Sequence, residues 1–230
     1  MITNDLIAAL PAADRRHLMA ICEPMSLAAA LTLSGHRDAA KFLLFPGSGA
    51  VALLGQAQGH PAVAVSLVGH EGVIGAHLML GIPQAPMAAR VLYAGEAWRV
   101  SRQDLDLAFN DSGLLRNKLR QYLVSQTDQL ARAVACLCFH KIPQRLARWL
   151  LMCDDRSDAH HFHVTHEVLA LMLGVRRVSV TLAARALQVR GLIDYHRGEF
   201  TVLDHAALCT ASCACYGEDL QARKVFKLRR

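Results

Sequence analysis

The most constraining feature of this 230-residue sequence is the run Val164–Leu203, VTHEVLALMLGVRRVSVTLAARALQVRGLIDYHRGEFTVL. Thr165 is a residue type that caps helices, and Glu167–Leu173 reads as the body of one. Ala170 is small where a second helix must cross closely. Gly174, four residues on, takes a positive φ without a Cβ clash and so allows a tight turn. Val180, six further on, is apolar and β-branched, suited to plugging the gap between two helices. This Ala–Gly–Val spacing is the pattern of a helix-turn-helix, with a second helix over about 177–190. After Gly191, two short β-prone stretches around Arg197-Gly198 read as a hairpin, or wing.

What the second helix can bind follows from its side chains. It carries Arg176, Arg177, Arg185 and Arg190 and no acid. The N-terminal residues of such a helix are the ones offered to a major groove. An arginine fork bonds guanine O6 and N7 together, so Arg177 is the expected base reader. Arg197, at the tip of the wing, is placed for a phosphate. Charge agrees in sign and in place: the chain carries +6, with residues 1–110 at −1 and residues 111–230 at +7. A basic C-terminal half suits an anionic partner, because neutralised phosphates release counterions.

Composition narrows the setting. At 53% apolar residues the chain can bury a substantial core. It has no run of roughly 18 or more apolar residues, which argues against a transmembrane helix and a membrane role. Met1–Leu10 carries Asp5 and lacks a basic segment before an apolar one, which argues against a secretory signal. Seven cysteines at irregular spacing suit reduced thiols, so a cytoplasmic protein is expected. No phosphate loop, nucleophile elbow or H-E-x-x-H motif occurs, and no enzyme is expected.

Upstream, residues 1–22 read as a helical lead-in. From about Leu27 to Val100, the apolar runs Phe42–Phe45, Val51–Leu54, Val63–Val68 and Ala89–Tyr93 are punctuated by glycine and proline turns. That is the texture of an antiparallel barrel or roll. Ser101 followed by Asp104 marks a helix start, running to about Asn110, and Asp111-Ser112-Gly113 interrupts it. From Leu114 to about His140 the pattern is strongly helical. Leu115, Leu119, Tyr122, Gln126, Leu130, Ala133 and Leu137 recur three and four apart, the stripe a partner helix needs, so a homodimer seam is expected there. Pro143 suits the first turn of a further helix through Leu151, and Asp154–Ala159 reads as a loop. The expected fold class is α+β: an N-terminal antiparallel sensor β-roll with flanking helices (1–110), a dimerisation helix (111–140) and a winged helix-turn-helix (141–230).

Closely over Val164–Leu203, and more loosely over the order of roll, long helix, Pro-started helix and winged domain, the chain resembles the Crp/Fnr family. That is the family of the catabolite activator protein and the fumarate–nitrate reduction regulator. The resemblance implies a homodimer that binds two-fold symmetric sites in double-stranded DNA and contacts RNA polymerase. It implies phosphate contacts from Thr165 and Ser179 and base reading by Arg177. Arg176, Val178, Thr181, Arg185 and Arg197 complete the expected DNA-binding set. Val178 stands where many relatives have a base-contacting Glu, and Leu182 where some have another Arg. Neither repeats that hydrogen bonding, and Val178 is suited to a thymine methyl instead.

The same resemblance implies a cyclic-nucleotide-binding-like roll, with one departure. Gly69–Gly75 is similar to the family's glycine-rich approach to the nucleotide pocket. Ala76, however, stands where cyclic-nucleotide binders hold the ribose with a Glu. Ala85-Pro86 stands where an Arg-Ser or Arg-Thr pair holds the phosphate. A buried phosphate without that arginine is poorly compensated. Cyclic AMP or cyclic GMP bound in the usual manner is not expected, and the small-molecule effector is unknown.

Two groups of His and Cys invite a metal reading. His160, His161, His163 and His166 crowd the approach to the helix-turn-helix. Cys209 and Cys213, at i and i+4, lie near Cys215 and His205. No C-x2-C pair accompanies them, and buried cysteines commonly act as small hydrophobes, so no metal or other cofactor is expected. Iron–sulfur relatives gather N-terminal cysteines, whereas Cys22 stands alone there. The rival function is a ligand- or redox-sensing protein whose winged domain binds another protein. Acids on the second helix would point that way, and it has none.

Overall fold

The computed structural model describes residues 3–157 and 160–228. Asp158 and Ala159, the end of the expected loop, lie outside the described residues. The chain falls into two compact units, one built on residues up to 53 with 68–127, the other on 54–67 with 128–222.

The N-terminal unit opens with α1 (Asp5–Ala8) and α2 (Ala12–Ile21). The lead-in is two helices because Pro11 disfavours helical backbone at the residue before it. Strands β1 (Glu23–Leu27), β2 (Thr32–Ser34), β3 (Phe42–Pro46), β4 (Ala50–Gly55), β6 (Ala88–Tyr93) and β7 (Gly95–Ser101) follow, while β5 (Val63–Val68) falls, but for its last residue, in the other unit. In this unit the sheet orders are β1-β7-β3 and β2-β6-β4, with β7 antiparallel to both of its neighbours. Next come α3 (Arg102–Asp111) and α4 (Gly113–Phe139), of which the part from residue 128 on belongs to the other unit. Ser101 caps α3, its hydroxyl oxygen accepting from the Asp104 amide at 3.2 Å.

Strand β3 shows why its apolar run is unbroken. Leu43 and Phe45 join a core with Ile7, Leu10, Leu18, Val100 and Leu105. Leu44, pointing the other way, joins a second core with Leu27, Val51, Val68, Val91 and Ala97. A strand buried on both faces has no reason to alternate in polarity.

The C-terminal unit contains α5 (Ile142–Asp154), β8 (His161–His163), α6 (His166–Leu173), α7 (Arg177–Val189), β9 (Ile193–His196), β10 (Glu199–Val202) and α8 (His205–Ala211), and the start of α9 (Cys215–Leu228). Helix α5 extends into the expected loop as far as Asp154. It buries Leu146, Trp149, Leu150 and Leu151. It also buries Arg145, which donates to the Leu173 carbonyl and so satisfies an acceptor left over at the end of α6. The wing is a three-stranded sheet, β8-β10-β9, with His161, Phe162 and His163 opposite Thr201, Phe200 and Glu199. Among the described residues no helix is long and apolar enough to cross a membrane.

Candidate nucleic-acid interface

Helices α6 and α7 meet as their sequence requires. Thr165 caps α6, its Oγ1 accepting from the Val168 amide at 3.3 Å, and Gly174 ends it at φ 61°. Val180 is completely buried and Ala170 nearly so. With that face sealed, α7 turns Arg176, Arg177, Val178, Thr181, Leu182 and Arg185 outward, while Ser179 is half-buried. Arg176 and Arg177 sit at the N-terminus of α7, the positive end of the helix dipole, where cations are unfavourable unless an anion faces them. In the free protein Glu167 answers Arg177 at 2.8 Å. Both partners are about two-thirds exposed (65% and 60%), so the pair holds Arg177 only weakly.

The wing's turn is Arg197-Gly198, at φ 50° and 95°. Two successive positive φ angles form the tight two-residue hairpin loop that matches strand twist. Glycine suits the φ of Gly198, which L side chains rarely adopt. Arg197 is left exposed at the tip.

Residues 144–211 match the family model of the Crp-like helix-turn-helix domain. This chain carries a Crp-like helix-turn-helix domain. Its fold as a whole is that of the Crp/Fnr regulators. FixK2 from Bradyrhizobium japonicum superposes with a TM-score of 0.72 at 17% identity, over 84% of this chain and 98% of that one. CLP of Xanthomonas campestris, a global regulator responsive to c-di-GMP, gives 0.68 at 17%, over 84% and 99%. A Crp/Fnr-family transcriptional regulator from Thermus thermophilus gives 0.64 at 21%, over 83% and 98%. No curated protein sequence matches the chain.

Beside the exposed face of the Crp-like domain, His166 is nearly buried and stacks on Tyr195 with ring centroids 4.2 Å apart. Its Nδ1 lies 3.0 Å from Thr181 Oγ1, which itself donates to the Arg177 carbonyl at 3.2 Å. The hydroxyl proton is committed, so Nδ1–H donates to Thr181 and Nε2 is left buried without a partner. Burial, then the charge of Arg177, lowers the His166 pKa. Of the other three histidines of that cluster, His160 pairs with Asp154, while His161 and His163 share Glu199.

The seven residues expected along the dimer seam do not share one environment. Leu115 and Leu119 are buried in the N-terminal unit's own core, with Tyr122 packed against it. They have no surface left to offer a second chain. Gln126, Leu130 and Ala133 are half-buried and Leu137 is 47% exposed. A different stripe of α4 is bare: Val124, Thr127, Ala131 and Val134, spaced three, four and three apart.

In the roll, Ala76 and Ala85 are buried. A cavity of about 350 Å³ is lined by Met25, Phe42, Leu44, Ile74, Lys41 and His77, among others. Arg90 lies exposed on β6 opposite Thr32, outside that lining.

The thiols also part company. Cys22 and Cys153 are pushed up to about 12 by burial. Cys209 Sγ lies 3.6 Å from His205 Nδ1, as its position one turn on suggests. Cys213 and Cys215 turn instead to Cys136 and His140. The sequence signal for these two is a C-x3-H at the end of a helix, more than seventy residues upstream of Cys213 and Cys215.

Proposed function

We propose that this chain is a cytoplasmic transcription regulator that acts as a homodimer on pseudo-palindromic sites in double-stranded DNA and contacts RNA polymerase from there. The observation that carries the reading is the exposed face of α7, with Arg176, Arg177 and Arg185 outward and no acid. Thr165 and Ser179 supply hydroxyls along the same surface, Thr181 is exposed beside them, and Arg197 reaches a flanking phosphate. Val178 and Leu182, 67% and 64% exposed, are suited to thymine methyls. Dimerisation is assigned to the bare stripe Val124–Val134 on α4. The roll is a divergent sensor domain that does not hold cyclic AMP or cyclic GMP in the usual manner.

Selection of bound sequences from a random duplex library by the full chain tests this. Two-fold symmetric sequences with half-sites about one helical turn apart should emerge. Arg177→Ala should cost about 1–3 kcal/mol, concentrated at one base pair per half-site. An equal loss on every sequence would reduce Arg177 to a phosphate contact. The rival reading, a winged domain that binds protein, draws on the apolar exposure of Val178, Leu182 and Val189. It gains if no sequence is enriched.

A further inference from the structure

At the end of α4, within the C-terminal unit, four potential metal ligands converge: Cys136, His140, Cys213 and Cys215. The three cysteines are buried together. Their backbones are fixed independently of one another. Cys136 and His140 are i and i+4, so both side chains leave the same face of one helical turn. Cys213 and Cys215 flank the corner between α8 and α9, where Ser212 Oγ donates to the Cys209 and Cys213 carbonyls at 2.7 and 3.3 Å.

The spacing of the ligand atoms selects a kind of ion. Tetrahedral zinc, with bonds of about 2.3 Å to sulfur and about 2.05 Å to nitrogen, sets edges of about 3.8 Å between sulfurs and about 3.6 Å between sulfur and nitrogen. Cys136 Sγ and Cys213 Sγ are 3.5 Å apart, and Cys215 Sγ and His140 Nδ1 are 3.6 Å apart. All four atoms lie within 4.8 Å of one another. Side-chain rotations close the remaining slack. An iron–sulfur cluster needs a wider opening, because its cysteines ligate different irons. A disulfide would use two of the four groups and leave Cys215 and His140 unexplained.

The surroundings match the charge of such a site. Arg148 is buried and hydrogen-bonds Cys136, while its Nη2 donates to Asp219 Oδ2 at 2.7 Å. Asp219 Oδ1 accepts from Arg132 Nε at 2.8 Å, and Arg132 also meets the half-exposed Asp128. Arg145, also buried, lies one turn before Arg148 on α5. These three cations face two carboxylates, an excess of one positive charge. Zinc held by three thiolates and a neutral imidazole carries one negative charge. The outer arginines would neutralise it and orient the thiolates, as partners around metal ligands do.

We propose that Cys136, His140, Cys213 and Cys215 bind one zinc ion that ties the end of α4 to the α8–α9 corner. Binding releases the thiol protons to solvent and links occupancy to the folding of these elements. The site is independent of whether the chain binds DNA.

Metal analysis of the full chain, purified under reducing conditions, should find about one zinc per chain. After chelation, cobalt(II) should give the intense visible bands of a tetrahedral site with thiolate charge transfer in the near ultraviolet. Cys136→Ser, Cys213→Ser and Cys215→Ser should each weaken cobalt binding at least tenfold. Cys209→Ser should leave it unchanged, as should Cys22→Ser. Circular dichroism identifies any variant that fails to fold, and His140→Cys, which keeps a ligand, should retain the ion with a red-shifted thiolate spectrum. No zinc or cobalt bound by the folded wild-type chain would overturn the site. So would iron with labile sulfide, a Cys136–Cys213 disulfide that survives purification under reducing conditions, or unchanged binding in the folded Cys213→Ser and Cys215→Ser variants.

Discussion

His166 sits one helix away from the outward arginines and connects the interface to pH. Its neutral form fits: Nδ1–H donates to Thr181, and the ring stacks on Tyr195. Protonation would add a donor at buried Nε2 with no acceptor, close to the charge of Arg177. The folded-state pKa is therefore below the ordinary 6.5. Below 6.5 the unfolded chain binds a proton that the folded chain refuses, so stability rises with pH through that window and is level above it. Denaturant unfolding of the wild type should lose stability as the pH falls below 6.5, and His166→Gln should lose less. Equal slopes in the two proteins would show that His166 is not the group responsible. The position was visible in the sequence as part of a histidine cluster. Its role was not, because that role depends on Tyr195 and Thr181, brought to it by the wing and by α7.

At the scale of elements, what the sequence revealed depended on whether the cause was local. The caps Ser101 and Thr165, the Gly174 turn and the Arg197-Gly198 hairpin are each set by a few adjacent residues, and each was legible. Strand β8 was not. His161–His163 becomes a strand only by pairing with β10, nearly forty residues away. Helix α4 shows a subtler limit. Its 3-4 periodicity says that a face is buried but not against what, and Leu115 and Leu119 spend theirs on their own core. The bare stripe is displaced around the helix, to Val124, Thr127, Ala131 and Val134. In a dimer packed along this stripe, Asp at Val124 would bury an unpaired charge, at a cost of about 3–5 kcal/mol. Sedimentation of Val124→Asp should then show monomers where the wild type is a dimer, whereas Leu137→Asp should remain dimeric. A Val124→Asp chain that stays dimeric at low micromolar concentration would place the interface elsewhere.

Across the whole molecule, the basic balance of residues 111–230 is confined to one half, and the sensor half is close to neutral. The contrast bears on what the roll can hold. A cyclic nucleotide brings one phosphate charge into its pocket. The cavity in the N-terminal unit offers Lys41 and His77 as the cations in its lining. Lys41 is exposed, and burial lowers the His77 pKa, keeping its ring neutral although a bond to the Pro83 backbone opposes the shift. Ala76 and Ala85 are buried and carry no polar side-chain group. The missing charge-assisted bond is worth roughly 1.5–3 kcal/mol, at least an order of magnitude in affinity. Calorimetry with cyclic AMP and with cyclic GMP should therefore detect no micromolar binding, and neither nucleotide should change the affinity for the selected DNA site. Micromolar binding that shifts DNA affinity and disappears in Arg90→Ala would show that Arg90 swings in from its exposed place on β6 to anchor the phosphate, and the roll would be a nucleotide sensor after all.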